Sequence, residues 1–240
     1  MDRKWLSGAV IGLILLFFVG QLHRPPARTS GAGAKIEVED MPLVALTFDD
    51  GPNRATTTAL LDGLSAREIP ATFFLVGERI PGNEDILKRM AEEGHQLGVH
   101  TWSHAKLTDL DRSEYEEEVE KTRALLRQVL GPGDYRLRPP YGITDEKVRS
   151  WADGPLILWS VDPEDWKDRD RERIVSAVLG RVKDGDIVLL HDIYGSSVEA
   201  ALEIADELQR EGFCFVTVDQ LMALRGGVPK PGELIRSFPE

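Results

Sequence analysis

The sequence predicts an α/β fold in which parallel strands alternate with crossover helices. Three observations carry that expectation. Apolar, β-branched or aromatic runs recur from about Met41 onward. Amphipathic segments lie between them, several opened by Ser, Thr, Asn or Asp and closed by Gly. No internal repeat or low-complexity insertion breaks the alternation. A barrel and an open doubly wound sheet both satisfy this pattern. In either, reactive side chains gather at the C-terminal ends of the strands.

The chain of 240 residues begins with Arg3 and Lys4 ahead of an uncharged apolar stretch, Trp5 to Gly20. Its length lies between that of a signal-peptide core and a short spanning helix, so residues 1–22 are expected to export or anchor the chain. An uncleaved membrane anchor is favoured over secretion after cleavage, because Ala32-Gly33-Ala34 lies well beyond the apolar run. Residues 23–40 include "HRPPARTSGAGAK", which has the composition of a linker. The folded domain is expected over 41–226. Its strands are placed at "LVALTF", "ATFFLVG", "QLGVHT", "YRLRPP", "LILWSV", "DIVLLHD" and "FCFVTV", about seven in all. Helices are placed at "TTTALLDGLSARE", "NEDILKRMAEEG", "RSEYEEEVEKTRALLRQVL", "RERIVSAVLGRV" and "SSVEAALEIADELQREG". Within the third of these, "EYEEEVEK" reads as a solvated helix face. Residues 227–240 read as a short C-terminal tail without a clear role.

Composition excludes some functions. With 41 acidic against 29 basic residues, the formal charge is -12, which argues against a protein that binds nucleic acid. The single cysteine, Cys214, sits in an apolar run and reads as a small buried hydrophobe; no intrachain disulfide is possible. The oligomeric state is open, with a monomer as the default.

The strand ends carry the chemistry. Asp49 and Asp50 end the first strand, and "HTWSH" (100–104) ends the third. "RPPYG" (138–142) ends the fourth, the fifth runs into Asp162, Asp165 and Trp166, and the sixth ends in His191-Asp192. Of the five histidines in the chain, His100, His104 and His191 fall at these points. His100 and His104 are one helical turn apart, so a helical turn after the third strand would aim both rings at one point. Two His and one Asp with an open position are the donor set of a catalytic zinc site, and the same donors can hold Fe(II). The pair Asp49-Asp50 then divides the work: the kink at Gly51-Pro52 lets one carboxylate bind the cation while the other reaches its water.

The ordered motifs "TFDDGP", "HTWSH", "RPPYG", "DPEDW" and "LLH" resemble those of the polysaccharide deacetylase family, the NodB-homology domain of carbohydrate esterase family 4. The resemblance spans about Leu43 to Leu224. It implies a deformed (β/α) barrel, a divalent metal, usually zinc with cobalt or another ion as an alternative, and removal of N-acetyl groups from a polysaccharide. It implies Asp49 as general base, Asp50, His100 and His104 as metal ligands, and His191 as general acid. It also implies that Arg138 pairs with the base, Asp165 tunes the acid, and the Tyr141 backbone amide helps hold the oxyanion. Val99 departs from the family, in which many members carry Asn before the first histidine.

An anchored enzyme outside the cytoplasm meets cell-wall glycan first, so N-acetylglucosamine or N-acetylmuramic acid of peptidoglycan is the expected substrate. The alternatives are O-acetyl esters, chitooligosaccharides, and a catalytically silent wall-binding or developmental protein on the same fold. Trp102, Trp159 and Trp166 are candidates for sugar contact against the more common fate of core packing. His95 and Asp192 read as structural.

Overall fold

The computed structural model describes residues 41–239, so the expected export segment and linker lie outside the described residues. Among the described residues no helix is long and apolar enough to cross a membrane.

The chain follows the expected alternation. β1 (Leu43–Asp49), α1 (Arg54–Ser65), β2 (Thr72–Leu75), α2 (Glu84–Glu92), β3 (Gln96–Val99), α3 (Arg112–Leu130) and α4 (Glu146–Trp151) come first. β4 (Leu156–Ile157), α5 (Asp165–Asp168), α6 (Arg171–Leu179), β5 (Asp186–His191), α7 (Gly195–Arg210), β6 (Cys214–Phe215), α8 (Val218–Leu224) and β7 (Leu234–Ile235) follow. Each β1 residue is buried, as expected of a strand covered on both faces. Its alternation sorts the core into two layers. Val44, Leu46 and Phe48 join the layer beneath the helices, with Leu60, Leu64, Ile204 and Leu208. Leu43 and Ala45 join an inner cluster with Phe74, Ile157, Ile187, Val216 and Ile235.

All pairings between the strands are parallel, in the order β3-β2-β1-β5, with β6 on the first residues of β1 and β4 paired to β7. Isolated bridges carry the circuit onward. Leu137 links Val99 to Leu156, and Val161 joins Val188. The resulting ring around the inner cluster is the deformed barrel that the motifs imply.

Three expected strands shrink, of which "FCFVTV" keeps only Cys214 and Phe215. "YRLRPP" contributes only Leu137, because Pro139 and Pro140 have no N–H to extend a ladder. "LILWSV" keeps Leu156 and Ile157 and returns to the ring at Val161. Cys214 is half-buried at the edge of the inner cluster, more open than expected.

The segment after Gly226, expected to be a tail, instead supplies β7. Ile235 caps the inner cluster, with Phe238 packed against it, and Ser237 bridges Asp186. The Phe238 N–H donates to Gly185 O at 2.8 Å. Gly185, at φ 79°, is required there, because a Cβ would lie 1.9 Å from Phe238 O.

Candidate active site

Asp49 continues the inward register of Leu43, Ala45 and Thr47, which places a carboxylate at the mouth of the barrel. Only 2% of it is exposed. Arg138, fully buried, donates from Nη1 to Asp49 Oδ1 at 2.8 Å and to Thr47 Oγ1 at 2.7 Å. Its Nε and Nη2 donate to Ile157 O and Leu158 O, and the guanidinium lies 4.0 Å from the centroid of the Phe74 ring. Burial raises the Asp49 pKa above the usual carboxylate value, against the opposing charges of Arg138 and His191. The arginine thus moderates desolvation without cancelling it, and Asp49 is more basic than an exposed aspartate.

The next residue turns the other way. Asp50 takes a left-handed φ of 73°, so the reorientation that separates the two carboxylates occurs at Asp50 itself, just before Gly51-Pro52. Asp50 Oδ1 lies 3.3 Å from His104 Nε2 and 3.7 Å from His100 Nε2. It is buried without a hydrogen-bond partner. His100 Nδ1 lies 2.8 Å from Arg138 O, where it donates its proton and leaves the Nε2 lone pair facing the carboxylates. Burial lowers the His100 pKa to about 3, so the ring is neutral. One ligand atom from each of Asp50, His100 and His104 lies within 4.8 Å of the others. A neutral, oriented imidazole beside an orphaned buried carboxylate oxygen is a poor arrangement on its own and a good one around a divalent cation, so the residues fit the metal.

The loop from His100 to His104 is not the expected helical turn. Thr101 and His104 are left-handed, at φ 64° and 63°, and the two imidazole centroids still approach to 4.9 Å. Glu118 of α3 holds this loop: its carboxylate accepts from the N–H groups of Trp102 and Ser103 at 2.9 and 2.8 Å and from the Ser103 hydroxyl at 2.8 Å. Glu118 therefore departs from the expectation of a purely solvated acidic face. Its neighbours hide it in the sequence; only its position toward the buried side of α3 distinguishes it.

On the other side of the cation site, β1 and β5 pair in register and bring Asp49 alongside His191. Asp165 is wholly buried, with Oδ1 2.7 Å from His191 Nδ1 and Oδ2 accepting from the His191 N–H at 2.8 Å. Burial pulls the His191 pKa down, but the hydrogen bond and charge of Asp165, with the charges of Asp49 and Asp50, raise it to about 9. Tyr141 is left-handed at φ 62° and 58% exposed, with its ring edge-on to His104 at 4.6 Å.

The supporting residues separate. Trp166 is exposed at the rim, Trp159 packs close to Gly142, and Trp102 lies under the Lys121 ammonium. Asp192, expected to be merely structural, is a fully buried carboxyl that accepts from the Thr57 hydroxyl, and burial pushes its pKa up to about 7. It fills the space under the turn so closely that a Cβ on Gly51 would lie 2.5 Å from it. Its sequence signal was only the adjacency to His191.

The site is a buried carboxylate with an arginine, a three-residue cation cluster, and an imidazole with an aspartate, all at one end of a barrel. The family profile described as Polysaccharide deacetylase matches residues 37–153. A solved structure titled "T48 deacetylase with substrate" superposes with a TM-score of 0.79 at 41% identity, covering 83% of this chain and 99% of that one. The chain belongs to the polysaccharide deacetylase family. Among other members, the peptidoglycan-N-acetylmuramic acid deacetylase PdaC of Bacillus subtilis (strain 168) is 43% identical over 179 residues, 75% of this chain. That match spans 38% of the relative's own length. A family 4 acetyl xylan esterase from Clostridium thermocellum, in complex with a cobalt ion, superposes at TM-score 0.78 with 31% identity, covering 82% of this chain and 100% of that one. Asp50, His100 and His104 form the cluster at which this polysaccharide deacetylase can hold a divalent metal.

Proposed function

We propose that this chain hydrolyses N-acetyl groups of cell-wall glycan, peptidoglycan preferred, with zinc held by Asp50, His100 and His104. The observation that supports it best is the pairing of opposed environments around one cation site. Asp49 is raised in basicity but keeps an arginine partner, while His191 is held protonated by Asp165. The bound metal would supply Lewis acidity to the acetyl carbonyl and to the attacking water.

The remaining work belongs to the chain. Asp49 accepts a proton from water as the oxygen attacks the carbonyl carbon. The Tyr141 amide donates to the oxyanion. His191 gives its proton to the amide nitrogen as the C–N bond breaks, because an amide anion is too basic to leave. Acetate and a free amino sugar result. The N-terminal segment anchors the enzyme outside the cytoplasm, against the wall.

The direct test is acetate release from peptidoglycan and chitin oligomers by the full chain, with chelator and after zinc is returned. Release that stops with chelator and resumes with zinc is expected. A folded, zinc-loaded sample that frees no acetate from any glycan would instead make this a binding protein on the same fold.

Asp165 gives a pH prediction. His191 must be protonated in turnover, so kcat/KM falls as pH rises through its pKa, which is raised to about 9. A bound cation works in the opposite sense and moves that limb lower. Asp165→Asn removes the anion that favours the imidazolium, so the alkaline limb is expected to move down by about one to three pH units. A limb unmoved in that variant would end the tuning role of Asp165.

A further inference from the structure

Beside the candidate site lies an open groove of about 540 Å³, lined by Pro52, Asn53, Arg54, Glu78, Arg79 and Ile193, among others. It adjoins the turn that carries Asp49 and Asp50 on one side and the end of β5 on the other. Its two guanidinium groups differ. Arg54 is engaged, with Nη1 and Nη2 forked onto Asp85 and a further bond to Gly82 O. Arg79 is exposed, and Nη1 donates to Asp50 O at 2.6 Å. No ion pair to a carboxylate forms at Arg79 among the described residues, in a chain of net charge -12 whose other surface arginines are largely paired. Nε and Nη2 remain to donate, and those two N–H groups form the planar fork that matches a carboxylate. The N-terminus of α1, capped by Asn53, opens on the same groove and adds a favourable field for an anion.

We infer that Arg79 is a specificity residue that binds a carboxylate carried by the glycan strand, so that the enzyme selects acidic sugars over neutral ones. This rests on the deacetylase reading above and deepens it. The tie from Arg79 to the carbonyl of Asp50 fixes the guanidinium one residue from the catalytic carboxylate, within reach of a substituent on the sugar being deacetylated or on its neighbour. In peptidoglycan the carboxylate has two sources: the lactyl group of muramic acid, where the stem peptide is absent, and the stem peptide itself.

The test uses the zinc-loaded full chain and four probes. These are peptide-free muramic-acid-containing tetrasaccharide, the same strand with its lactyl carboxyl converted to the methylamide, the peptide-bearing strand, and chitotetraose. Acetate release and binding by calorimetry are both measured. A charge-assisted hydrogen bond of this kind predicts that kcat/KM for the lactyl acid exceeds that for its methylamide by about tenfold. In Arg79→Gln the ratio is expected to fall to about one, and in Arg79→Lys to recover in part. A preference for the peptide-bearing strand with none for the lactyl acid would place the carboxylate on the peptide, provided Arg79→Gln abolishes it. No preference in the wild type for either the lactyl acid over its methylamide or the peptide-bearing strand, or a preference unchanged in Arg79→Gln, would overturn the inference while leaving deacetylation intact. Binding that discriminates acid from amide without any acetate release would do the reverse.

Discussion

Asp49→Asn is expected to lower acetate release by about 10²- to 10⁴-fold while metal content stays at the wild-type level. The side chain keeps its shape, and Asp50, His100 and His104 are untouched, so what is removed is the capacity to take a proton. A second effect follows from burial. Arg138 is fully buried, and Asp49 is its ion-pair partner. Removing the partner of a buried charge costs about 3–5 kcal/mol, which for a domain of this size lowers Tm by on the order of 10 °C. Both effects can be read on one sample, by acetate assay, metal analysis and thermal unfolding. Turnover within tenfold of wild type in a metal-loaded variant would remove Asp49 from the base role. Loss of metal along with turnover would move it among the ligands.

His104→Ala should separate from this on every readout except activity. One of three ligand atoms is lost, so metal affinity is expected to fall by at least about 100-fold, and turnover falls with it. The side chain is 27% exposed and accepts no burden from the core, so the thermal transition of the metal-free variant should stay within a few degrees of the metal-free wild type. Competition with a chelator measures the affinity, and a high zinc concentration should restore part of the rate. A variant that binds zinc as the wild type does would exclude His104 from the cluster.

Much of the fold was legible because its strands are short apolar runs between capped, amphipathic helices. β1 could be placed because a strand covered on both faces carries no charged residue until Asp49. The fourth and fifth strands were less legible, since Pro139, Pro140 and the break between Ile157 and Val161 reduce them to bridges that no local pattern foretells. β7 was missed because Leu234 and Ile235 are too few to register as a run; their partner, β4, is almost 80 residues away. The candidate ligands and proton-transfer residues were visible as polar side chains at strand ends. Glu118 and Arg79 were not, because each acts on backbone atoms brought near only by folding.

Arg138 joins the two halves of the problem. Its guanidinium braces β1 and the β4 segment and holds Asp49, while its own carbonyl orients His100. A drift that loosens this residue would weaken folding and chemistry in one event. Evolution cannot trade one for the other at this position, so a lineage that gave up catalysis but stayed soluble would be expected to change Asp49 and Arg138 together, and not singly.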